Sequence, residues 1–137
     1  MIGFRYGWDD PEYTVIHATM GQYWDWDDFH EAIDGMASMI QSVDHQVDII
    51  VVMRPTTPIP EGNALRHLKT GFLKLPSNTG IHVLVGANIL TYRVLRMLTR
   101  RYTYMQGRLL ATSMLGDAYR IVARNRPEVL ELDNCVA

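Results

Sequence analysis

The sequence predicts an α/β fold: a mixed, mainly parallel sheet of about five strands with four main helices. Three observations carry this expectation. Strand-like and helix-like periodicities alternate from Gly21 onward. Val47 to Met53 is almost continuously apolar and β-branched, as in a parallel strand covered on both faces. Two short strand-like runs, separated by turn chemistry, precede the first helix and read as an N-terminal β-hairpin.

The elements follow in order. Ile2, Phe4 and Tyr6 alternate with small or polar residues, which suits a half-buried strand. Asp9, Asp10 and Pro11 make a turn, and Tyr13–Met20 resumes a strand rich in β-branched residues. Asp25 is placed to cap the first helix, with Asp27 and Asp28 in its first turn, where the helix dipole favours acids. Trp26, Phe29, Ile33, Met36, Ala37 and Ile40 form its apolar stripe. Gly35 interrupts that helix at a cost of about 1 kcal/mol in propensity, which points to a close packing contact.

After the central strand, Arg54–Gly62 holds three prolines and reads as a loop. Asn63 caps a second helix running to about Phe72, with Ala64, Leu65, Leu68 and Phe72 on one face. Ile81–Gly86 is the next central strand. Asn88 then caps a third helix to about Arg101, expected to bury Ile89 or Leu90 with Val94, Leu95 and Leu98. Arg108–Ala111 is a short last strand. Thr112 or Ser113 is expected to cap a fourth helix from Met114 to about Asn125, with Leu115, Ala118, Tyr119 and Val122 inward and Pro127 as its stop.

The 137 residues suit one domain, 1–127, followed by a tail at 128–137 with little periodicity. The 47% apolar and 20% charged fractions exclude a disordered chain or a disulfide scaffold. The longest apolar run, Ile49–Met53, is far short of the ~20 residues of a membrane span. No membrane partner is expected. A lone cysteine, Cys135, and opening residues without the pattern of a secretory leader lead to the expectation of a cytoplasmic protein.

The net charge of -2 conceals a split: residues 1–50 sum to -9 and residues 51–137 to +7. Either the two segments neutralise each other within the molecule, or they offer acidic and basic surfaces to a partner or a second copy.

The element order resembles STAS-type domains, the group that includes bacterial anti-sigma factor antagonists. Gly21-Gln22-Tyr23-Trp24-Asp25-Trp26-Asp27-Asp28-Phe29 looks like the end of their hairpin running into a capped helix, and Ser42-Val43-Asp44-His45-Gln46-Val47-Asp48-Ile49-Ile50 like the approach to their central strand. The resemblance covers most of residues 1–125 and implies a regulatory, partner-binding role without catalysis. Antagonists that switch by phosphorylation carry a serine in an Asp-Ser-Ser-Gly-like stretch after the central strand. Here Met53–Gly62 offers only Thr56 and Thr57 as hydroxyls.

Chemical motifs are sparse. The five histidines form neither a His-Glu-x-x-His pattern nor a Cys/His cluster, so no metal site and no cofactor are expected. His30 and Asp34 alone lie four apart on a helix. No catalytic residue is assigned: no nucleophile elbow and no phosphate-binding glycine loop occurs. Topology supplies the site candidate, because ligands of open α/β sheets bind beyond the carboxyl ends of the parallel strands. Those ends are Arg54, Thr56 and Thr57, then Asn88, then Thr112 and Ser113, a set suited to an anionic small molecule.

An interface candidate comes from charge and aromatics. Asp27, Glu31 and Asp34 share the wet side of the first helix, and Arg93, Arg96 and Arg100 share a face of the third. Trp8 and Trp24 are available as apolar anchors for a homo-oligomer or a protein partner. Nucleic acid is disfavoured by a pI of about 6.2 and the lack of a recognition motif. Two functions are therefore expected: a STAS-like interaction module, or a binder of small anionic ligands or weak enzyme using the strand ends.

Overall fold

A computed structural model describes residues 3–125. The strands are β1 (Phe4–Trp8), β2 (Val15–Met20), β3 (Val47–Val52), β4 (Thr79–Val85) and β5 (Leu109–Thr112). The helices are α1 (Trp26–Gln41), α2 (Ala64–Leu73), α3 (Ile89–Arg101) and α4 (Leu115–Arg124), with a short 3₁₀ turn at Thr103–Met105. Ile2, Pro127 and the segment 128–137 lie outside the described residues.

The five strands lie side by side in chain order. β1 and β2 form the antiparallel hairpin, and every later pairing is parallel. Because each right-handed crossover steps the same way across the sheet, the three crossing helices fall on one face. There α1 packs Ala32, Ile33, Met36 and Ile40 on Ile16, Ala18 and Ile49. α2 touches both α1 and α3. α4 follows the last strand and covers the opposite face, where Ala118 and Val122 meet Val15, Ile50, Val83 and Val85. β3 is thus covered on both sides, which explains its continuous apolar text.

Local chemistry sets the helix ends. Asp25 caps α1 by accepting the Asp28 N–H at 2.8 Å, and the Asp28 carboxylate accepts the Asp25 N–H at 3.0 Å. This reciprocal pair satisfies two donors that the first turn leaves free. Asn63 and Asn88 cap α2 and α3 in the same manner, by accepting from Arg66 and Thr91. Gly35 is the expected close contact: a Cβ there would collide with the Tyr6 ring of β1. Gly71 of α2 stands equally close to the Phe29 ring of α1.

Three expectations are corrected. Neither Ile89 nor Leu90 is buried; they are 70% and 59% exposed. Thr91, Leu95 and Leu98 set the inward phase of α3, and at 100° per residue Ile89 falls on the opposite side. Neither Thr112 nor Ser113 caps α4. β5 continues through Thr112, whose carbonyl accepts the Gly86 N–H, so the helix begins later, with Met114 at a cap position that has no side-chain acceptor. Leu115 and Tyr119 flank the Ala118–Val122 stripe and stay partly exposed.

Candidate functional site

Between the sheet and the α1–α3 layer lies a cavity of about 90 Å³. Its floor includes Ala18, Ile49, Val51 and Leu84 from the strands. Its roof includes Phe29 and Met36 of α1, Leu68 and Phe72 of α2, and Val94 and Leu95 of α3. An apolar cavity of ~150 Å³ holds a benzene molecule. The cavity here therefore takes an apolar group of only a few heavy atoms.

One end of the cavity is built by aromatics. Trp24 meets Phe4 and Trp26 edge to face, with ring centres 5.1 and 5.2 Å apart. Trp26 is anchored by donating its indole N–H to the Glu61 carbonyl at 3.0 Å. Its ring stacks on His67 at 4.7 Å, and His67 hydrogen-bonds His30. The indole N–H of Trp24 is buried and finds no acceptor among the described residues. An orphaned donor beside a cavity is a costly arrangement that an acceptor on a bound molecule would relieve.

Polar groups enter at few points. His82 on β4 is 7% exposed and lines the cavity, with its ring 5.0 Å from that of Phe72. Burial, and then the charge of Arg108, push its pKa down to about 4. It is neutral at neutral pH and offers one donor and one acceptor. Thr91 of α3 is also buried against the cavity.

The strand-end candidates divide. Arg54, Thr57 and Asn88 do come together as part of the cavity lining. Arg54 sits just past β3 and donates its Nε–H to the Met20 carbonyl at 3.3 Å, which holds it across the end of β2. Thr57 donates to the Gln22 carbonyl, and Asn88 donates to the Pro55 carbonyl while capping α3. Thr56, Thr112 and Ser113 are not among the lining residues. Thr56 is exposed in the loop, and the other two belong to β5 and its exit.

Among the described residues no Asp or Glu lines the cavity, and Arg54 is its one cation. The electrostatics favour a negative or hydrogen-bond-accepting end on a small apolar molecule. A second, more open hollow of about 180 Å³ shares Phe72 and His82 with it and is also lined by Tyr104 and Arg108. Among the described residues, no three metal-ligating side chains group together, and none of their helices is long and apolar enough to cross a membrane.

The interface candidates are spread over separate elements. Asp27 and Glu31 are exposed on α1, and Asp34 pairs with Lys74 at 3.6 Å. Arg93, Arg96 and Arg100 are exposed on α3, on the far side of α2. Trp8 stacks on Tyr13 at 5.0 Å and packs against the α1 core, and Trp24 is a cavity wall, so both are engaged within the chain. Sequence reasoning missed His82 and Thr91 as site residues and expected Trp24 at an interface, where the structure makes it a cavity wall. The available signal was a histidine inside an otherwise apolar strand.

No family model, curated protein or solved structure matches this chain.

Proposed function

We propose that this chain is a non-catalytic ligand-binding module of STAS-like type, which holds a small molecule with a short apolar body and an anionic end beneath α1–α3. The observation that supports it most is the one cavity lining shared by apolar side chains, the buried His82, an orphaned Trp24 N–H and Arg54, a cation with no ion pair among the described residues. Among the described residues the lining is apolar side chains with a few hydrogen-bonding groups and one arginine, a composition suited to holding a small molecule. The STAS-like resemblance adds a regulatory use for that binding, in a cytoplasmic setting.

Trp24 and Trp26 lie on the cavity and report occupancy directly. Straight-chain carboxylates of about three to five carbons, a range set by the cavity size, are titrated against tryptophan emission, with the matching alcohols as controls. The expected result is a saturable change for the carboxylates that Arg54→Ala weakens by roughly tenfold or more, the size of a charge-assisted hydrogen bond, with the alcohols unaffected by that variant. A series without any saturable member refutes the proposal.

A further inference from the structure

α3 has two working faces. Thr91, Val94 and Leu95 line the cavity. The opposite face carries Ile89, Leu90 and Met97, at 70%, 59% and 54% exposure, interleaved with Arg93, Arg96, Arg100 and Arg101. Positions 89, 93, 96 and 100 follow one helical stripe, and 90, 97 and 101 follow the next. None of the four arginines forms an ion pair among the described residues; Arg96 lies instead over the Tyr92 ring.

The charge around α3 is of one sign. Between Glu61 and Asp117 there are 55 residues with eight lysines and arginines and no acid. α2 lies next to α3 and adds Arg66 and Lys69 to the same layer. A second copy is a poor match for this face. The acidic side of α1, with Asp27, Glu31, Asp34 and Ser38, offers charge but no exposed apolar residue to meet Ile89, Leu90 and Met97. An anionic bilayer offers both in one surface: negative headgroups for the guanidinium groups and an apolar layer beneath for the aliphatic side chains. Arginine stems also cover apolar surface while their heads stay wet.

We infer that the outer face of α3 docks the protein on the surface of an anionic membrane, Ile89 and Leu90 entering the headgroup boundary and Arg93, Arg96 and Arg100 meeting lipid phosphates. Such contact needs no spanning segment, so it is compatible with the shortness of every apolar run. It stands apart from the identity of the cavity ligand, because the cavity uses the other face of the helix.

The test is flotation of the full chain with vesicles containing a third phosphatidylglycerol in phosphatidylcholine, beside pure phosphatidylcholine vesicles, at about 0.1 M salt. Binding to the anionic vesicles alone is expected. Arg93→Gln/Arg96→Gln/Arg100→Gln should weaken it about a hundredfold, from the loss of three surface-bound charges. Ile89→Ser/Leu90→Ser, which keeps every charge, should weaken it roughly tenfold or more. All five side chains are exposed, and unchanged thermal melting of both variants identifies the loss as one of contact. No flotation with anionic vesicles overturns the proposal. So does full binding by the aliphatic variant together with tight binding of a single-stranded oligonucleotide, which assigns the face to nucleic acid. A dimer in sedimentation without lipid that Ile89→Ser/Leu90→Ser dissociates also overturns it, in favour of a second copy.

Discussion

His30 on α1 and His67 on α2 share one hydrogen bond, Nε2 to Nδ1, at 2.9 Å. One ring must donate and the other accept, so the contact requires at least one neutral histidine. His67 in turn stacks on Trp26, a cavity wall. The pair thus ties the two helices together beside the cavity, and its protonation state bears on the stability of that layer.

Acid is expected to weaken the fold through two histidines. Burial, Lys74 and His67 hold His30 below its ordinary pKa, and burial holds His82 at about 4. The unfolded chain binds these protons near pH 6.5, before the folded chain does. The stability that the neutral rings contribute is therefore present above pH 6.5 and is lost as pH falls. For His82 the loss runs down to about pH 4 and totals roughly 3 kcal/mol at ~1.4 kcal/mol per pH unit. Urea denaturation at pH 7.5 and pH 4.5 checks this, and His82→Leu should remove most of the difference.

Gly35→Ala should destabilise the protein by about 1–3 kcal/mol, although alanine favours a helix, because the added methyl meets the Tyr6 ring. Tyr6→Phe removes the hydroxyl that stands nearest and should recover part of the loss in the double variant. Additive melting shifts for the two changes would contradict the contact.

Asp48 is a buried carboxylate on β3 that accepts the Ile81 N–H at 2.9 Å and the Gln46 side-chain amide at 3.2 Å. Asp48→Ala leaves the Ile81 N–H without that acceptor and should cost about 1–3 kcal/mol. Chemical denaturation of the purified variant measures it directly.

Ala18→Ile places extra carbons on the cavity floor. Because β-branched residues suit a strand and the added atoms enter open space, stability should change by less than about 1.5 kcal/mol. Ligand-dependent change in tryptophan emission should vanish in the same variant. Retained binding with unchanged affinity would place the ligand elsewhere.

Much of the fold was legible because period and punctuation agreed at each element. Asp25, Asn63 and Asn88 act as caps, and the apolar run at Val47 lies inside the sheet. The phase of α3 was not legible, since Ile89 and Leu90 look as apolar as the buried Leu95 and only the position of α2 and the sheet decides between them. Site legibility was partial for a related reason. Strand-end logic finds Arg54, Thr57 and Asn88, which follow β3 and β4. It extends too far at Thr112 and Ser113, because β5 is an edge strand away from the cavity. The cavity itself arises from how three helices roof the sheet, which no spacing in the chain encodes.

The most direct measurement is a crystal structure of the protein grown with a saturating short-chain carboxylate such as butanoate. Electron density is expected for the alkyl chain between Phe29, Leu84 and Leu95, with its carboxylate at Arg54. Clear density for the side chains around an unfilled cavity, or for the carboxylate bound only outside it, would contradict ligand binding beneath α1–α3.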